Sequence, residues 1–216
     1  MTEPVAVTAP SLPALDACEL PDGGELDELS LSEARVDHRG RGAISTRMIR
    51  LDESELLGLT LGGGAAAELR LRDVRMKGCD LSNVRARRGQ IRRVELTDSR
   101  LVGFALDEGA AEDLRVVGGT MMLCSLAHSK LRRVVFENVN LCEASFMEAQ
   151  LSSVSFEGCE LTGADFRGAR LKGCTIRGSS LEGVIGVGSL RGLTMPWPDL
   201  VGSAQALADA LGIVVE

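Results

Sequence analysis

The chain has 216 residues, 44% apolar but only 3% aromatic (five Phe, one Trp, no Tyr), with 25 Gly and 6 Pro. That length suits one ordinary domain. A core so poor in rings is built from aliphatic and small side chains, which disfavours a base-stacking surface and an interface anchored by Tyr and Trp. The formal charge is −7, but residues 1–30 hold seven acids (Glu3, Asp16, Glu19, Asp22, Glu25, Asp27, Glu28) and no base, leaving 24 of each sign in 31–216. A net-basic nucleic-acid-binding domain is not indicated.

No run of 18 apolar residues exists, and the N-terminal MTEPVAVTAPSLPALDACEL lacks a basic n-region. Neither a membrane span nor a secretory signal is expected, and the expected location is cytoplasmic. Residues 1–23, rich in Pro, Ala and acids, read as a flexible acidic N-terminal arm. In the competing reading Leu12, Leu15, Leu20 and Leu26 pack as a cap on the rest of the chain.

A five-residue period organises residues 24–185. From Leu31 to Leu181 in steps of five, 29 of 31 positions are apolar, the exceptions being Arg41 and Thr46. Two residues before each centre the side chain is mostly small or β-branched, and Arg39 alone there is charged. A helix drifts out of phase with this period, and a strand's two-residue alternation cannot hold across five. A chain that turns the same way after every five residues satisfies it. Four sides then make a 20-residue coil, and coils stack about 4.8 Å apart. The centre and the residue two before it point inward.

Glycine recurs two places after the centre, at Gly58, Gly63, Gly78, Gly103, Gly118 and from Gly158 to Gly183, as a positive-φ corner requires. The coil places Phe136 over Phe156 on one face and Phe146 over Phe166 on the opposite one. The expected core runs through Leu131, Phe136, Leu141, Phe146, Leu151, Phe156, Leu161, Phe166, Leu171, Ile176 and Leu181. Arg39, Arg41 and Thr46 break the pattern, so 39–46 either distorts the coil or lets side chains snorkel at an open end.

Units such as Ala144-Ser145-Phe146, Cys159-Glu160-Leu161 and Ala164-Asp165-Phe166 resemble the A(D/N)LXX motif of the pentapeptide repeat family. The resemblance implies an all-β solenoid, a right-handed quadrilateral parallel β-helix of about eight 20-residue coils.

Residues 186–216 read as a C-terminal cap. DLVGSAQALADAL, 199–211, is predicted helical, with Asp199 as N-cap and Gly212 as C-cap. Its apolar face (Leu200, Val201, Ala204, Leu207, Ala208, Leu211), with Trp197, covers the last coil, pairs with a second subunit, or does both. Trp197, Leu200, Val201, Ala204, Leu207 and Leu211 are therefore the candidate interface.

No catalytic, cofactor or metal constellation stands out. Cys79, Cys124, Cys159 and Cys174 fall in inward slots and read as core thiols; Cys142 falls outward and is open to reaction; Cys18 lies in the arm. His38 and His128 read as lone surface histidines, and Glu137 and Glu157 as stacked outward carboxylates. Sorting outward positions by coil gives a basic face at Arg70, Arg72, Arg92, Arg93, Lys130, Arg132 and Arg133, interrupted by Glu112 and Asp113. It reads as a salt-bridged solvated surface or a partner-binding stripe. Val102, Val117, Met122, Leu123, Val135 and Met147 form an outward apolar set.

Two functions are open. One is a non-enzymatic protein-binding or scaffold module with no cofactor, small-molecule substrate or direct nucleic-acid partner. The other comes from the resemblance: some pentapeptide repeat proteins are dimeric rods that imitate DNA, bind DNA gyrase or topoisomerase IV, and protect against quinolones or other toxins. The balanced charge of the repeats counts against the second.

Overall fold

The computed structural model describes residues 4–214; residues 1–3 of the expected arm and 215–216 of the expected cap lie outside the described residues. The chain forms a four-sided parallel β-solenoid of about eight coils. Every ladder is parallel, and a register such as Gln90, Ala110, Lys130, Gln150, Arg170 advances 20 residues per coil. Two sides carry continuous strands that bend round a shared corner, including Met48–Leu57, Glu68–Lys77, Gln90–Thr97, Ala110–Val117, Lys130–Glu137 and Gln150–Glu157. The other two are held largely by single bridges, Asp80 to Arg100 to Thr120 and Arg85 to Ala105 to Ser125.

The inward slots fill the shaft. Of the expected core residues, Leu131 through Phe166, Ile176 and Leu181 are buried, while Leu171 is half-buried because Arg170–Lys172 is the last strand of its side. Phe136 and Phe156 stack at 5.3 Å and 13°, and Phe146 and Phe166 at 4.9 Å and 8°. Edge-to-face contacts at 5.6–6.4 Å knit the two stacks together across the shaft, a geometry rings favour beyond their buried area.

From Asp73 to Gly183 the corner two places after each centre takes positive φ whether or not it holds glycine. Gly158 has φ 61°, but Arg133 has 51°, His128 56° and Leu123 57°. Gly63 departs from the expectation. The positive φ falls on Gly64 instead, within an irregular stretch where Ile44 bridges Leu61 rather than the residue 20 ahead.

At 39–46 the first coil is distorted. Arg39 turns out to pair with Asp37, the Arg41 guanidinium donates to the Leu20 carbonyl at 3.1 Å, and Ile44–Ser45 rejoins the ladder against Gly24–Glu25. Cys18, Leu20 and Leu26 pack on the core at this end.

The segment read as a flexible arm lies extended along the solenoid. Asp16–Ala17 pairs with Ala34–Arg35, and residues further N-terminal climb the outside corner, where the Ser11 N–H donates to Asp73 and the Thr8 N–H to Asp113, each at 3.0 Å.

The C-terminal expectation needs correction. Two short helices replace one, α1 (Trp197–Gly202) and α2 (Ala204–Ala210), and Ser203 separates them. Pro196, not Asp199, is the N-cap; the Asp199 carboxylate instead accepts the Gly178 N–H at 2.7 Å. Val187, Leu190, Leu193, Met195 and Leu207 pack on the last coil. Trp197, expected there, is 74% exposed, because the small and polar side of the helices (Ser203, Ala206) faces inward.

Candidate interaction surfaces

Parallel stacking at 20-residue offsets turns the outward positions into columns along the axis. One column reads Arg35, Glu55, Arg75, Glu95, Arg115, alternating in sign at every coil. The corner column reads Asp73, Arg93, Asp113, Arg133, with Arg93 Nε on Asp73 at 2.6 Å and Arg133 Nε on Asp113 at 2.7 Å.

The candidate basic face is largely neutralised by this arrangement. Arg70 meets Glu68 at 2.8 Å, Arg72 Nε meets Asp52 at 2.6 Å, and Arg92 and Arg132 flank Glu112 at 4.0 and 3.4 Å. Arg93 and Arg133 sit in the corner pairs. Lys130 stands in register between Ala110 and Gln150. Exposed pairs contribute at most about 1 kcal/mol each, so the consequence is a short-range field more than stability.

The corner carboxylates differ in being buried: Asp73 is 2% exposed and Asp113 4%. The hydrogen bond from Arg133, aided by the Thr8 amide, pushes Asp113 down to about 2; Arg93 foremost lowers Asp73 as well. Asp52, Glu53 and Asp73 bring one carboxylate oxygen each within 4.8 Å of one another. Arg72 already pairs with Asp52 and Glu53, and Arg93 with Asp73.

The apolar outward set does not form a patch. Val135 is buried, Val102, Val117, Met122 and Met147 are half-buried, and only Leu123 among them is exposed. At the C-terminal end the picture reverses. Trp197, Leu200, Val201 and Leu211 of the candidate interface are exposed, as are Ile213 and Val214, while Leu207 is half-buried against the core and Ala204 is exposed.

All six cysteines are free. Burial pushes the Cys79 thiol up to about 11 and Cys124 to about 12, and raises Cys159 and Cys174. Cys142 is half-buried and also raised, by desolvation first and by Glu160 next, so its thiolate is disfavoured. His38, read as a surface residue, is buried: the 18–25 segment folds over it, and its Nε2 meets the Pro21 carbonyl at 2.9 Å. No sequence period marks that contact. His128 is exposed beside Glu148 at 3.4 Å. No helix among the described residues is long and apolar enough to cross a membrane.

Residues 119–185 match the family model described as pentapeptide repeat region. No curated protein matches the chain. Among solved structures, HetL, a pentapeptide repeat protein involved in heterocyst differentiation regulation from the cyanobacterium Nostoc sp. strain PCC 7120, is 20% identical, with 81% of this chain and 90% of that one covered and a TM-score of 0.38. QnrB1, a plasmid-mediated fluoroquinolone resistance protein, is 17% identical over 93% of this chain and 98% of that one, with a TM-score of 0.33. Rfr23 from the cyanobacterium Cyanothece 51142 is 17% identical over 66% and 88%, with a TM-score of 0.25. The five-residue phase of the matched repeats runs back in the sequence to Leu51, so the matched segment is the C-terminal part of a longer series of the same period.

Proposed function

We propose that this chain is a non-enzymatic protein-binding module, a rigid β-helical rod that pairs with a second copy of itself through its C-terminal end. One observation carries the reading. Among the described residues, the exposed large apolar side chains other than Leu123 all lie between Ile185 and Val214, with Trp197 74% and Val214 86% exposed. A concentration of exposed apolar side chains at one end of a chain marks an interaction site. A second copy brings a surface of the same composition, and an isologous pairing closes on itself without leaving an apolar end exposed. The charges nearby do not oppose it: Asp199 is held by the Gly178 N–H and Asp209 by Gln205 at 2.8 Å.

Sedimentation velocity of the full chain at micromolar concentrations tests this. The wild type is expected to sediment as a dimer. The double variant Trp197→Glu with Leu211→Glu, whose altered side chains lie outside the packed core, is expected to be a monomer with an unchanged far-UV circular dichroism spectrum. A wild type that stays monomeric throughout, or a double variant that still dimerises, overturns the pairing.

A further inference from the structure

The segment before Asp16 runs along the axis of the solenoid rather than round it. Asp113 accepts the Thr8 N–H and Asp73 the Ser11 N–H. These carboxylates stand two coils apart, roughly 10 Å, which is the reach of three extended residues. The segment is therefore stretched straight across the corner. Its amides meet side-chain carboxylates instead of a backbone ladder. Pro10 is buried while Ala9 and Ser11 on either side are exposed, so the ring is the point of insertion.

The corner is prepared for this contact. With the strap seated, Asp73 and Asp113 are the buried carboxylates among the described residues, whereas Asp52 and Glu53 beside them are half-buried. A carboxylate out of water is costly unless paired and hydrogen-bonded. Here each has an Arg on one side and a backbone amide on the other. Arg93 and Arg133 match the two buried carboxylates one to one, which suits an uncharged occupant, and residues 4–15 contain no charged side chain.

We propose that this corner is a receptor groove for an extended, uncharged, proline-containing peptide segment of a partner protein, and that residues 4–12 fill it in cis. The occupant must present two free amides three residues apart with a proline between them, as Thr8, Pro10 and Ser11 do. Tethered through Asp16–Ala17, the strap competes at an effective concentration in the millimolar range. A partner's segment then binds well only when the strap is displaced. The groove is separate from the C-terminal patch and does not rest on it.

The test uses the full chain. Thr8→Pro with Ser11→Pro removes both amide donors from the strap and leaves the groove intact. A fluorescein-labelled synthetic peptide of residues 4–13 is titrated against both proteins and followed by anisotropy. It is expected to bind the double variant at least ten-fold more tightly than the wild type. Adding Asp73→Ala and Asp113→Ala to the double variant, which removes both acceptors, is expected to abolish that gain, and a control peptide with proline at both positions is expected not to compete. Equal binding to wild type and double variant, no binding to either, or a gain that survives loss of the two carboxylates overturns the groove. Trp197→Glu is expected to leave the titration unchanged, so failure of the C-terminal pairing and failure of the groove are told apart.

Discussion

A side chain with a Cβ meets a steric cost of about 1–2 kcal/mol in the left-handed region, a cost absent for glycine and eased for asparagine. The solenoid imposes that region at each regular corner, because the chain must turn after every five residues to stay in phase. Glycine at Gly158, Gly163 and Gly168 meets the demand without strain, and Asn83 and Asn138 meet it with little. Leu123 does not: it holds φ 57° and is 54% exposed, so it bears the strain with little packing in return. Leu123→Asn is therefore expected to stabilise the fold by about 0.5–1 kcal/mol, read as a higher urea midpoint at unchanged slope. A midpoint equal to or below that of the wild type would mean that the leucine has a compensating contact.

Within the stack of coils, the aromatic ladder is where a single side chain matters most. Phe156 touches Phe136, Phe146 and Phe166 and is wholly buried. Truncation of a buried Phe costs about 3–5 kcal/mol, and the neighbouring coils, fixed by ladders on both sides, have little freedom to collapse into the space. Phe156→Ala is expected to lower stability by that amount in urea unfolding. Leu171→Ala, at the half-buried last strand, is expected to cost less than half as much; comparable losses would place the end of the solenoid elsewhere. The ladder was legible in the sequence because a period of five folded into a coil of twenty fixes which residues sit above one another. The same rule reaches neither end. The strap follows no period and is held by Asp73 and Asp113 through its own amides, so its sequence carries no sign of its path. His38 obeys the outward slot but is covered by the Pro21 segment, and Trp197 was misplaced because helical periodicity does not say which side faces the last coil. The basic face had two readings in the sequence, a salt-bridged surface or a partner-binding stripe. Grouping residues by column located the arginines, while the acids that neutralise Arg72 and Arg93 sit one coil back in the same column.

Seen along its whole length, the solenoid differs from a nucleic acid in the property a mimic would have to copy. Eight coils at about 4.8 Å make a rod of roughly 38 Å, and duplex DNA of that length carries roughly 22 negative charges in unbroken rows. This chain has a formal charge of −7, and seven of its acids precede residue 31. Farther along, Arg35, Glu55, Arg75, Glu95 and Arg115 reverse sign at each coil. Charges that alternate every coil cancel within a Debye length of about 8–10 Å, so little field survives to guide a DNA-binding surface onto the rod. The purified protein, titrated to tens of micromolar into a DNA gyrase supercoiling reaction with and without a quinolone, is accordingly expected to leave supercoiling and drug sensitivity unchanged. Inhibition or protection at low micromolar protein would show that shape alone, without the charge of DNA, suffices for that partner. It would also direct attention to the C-terminal half, where Val135, Ser155 and Thr175 replace the alternating charges of the same column with uncharged side chains.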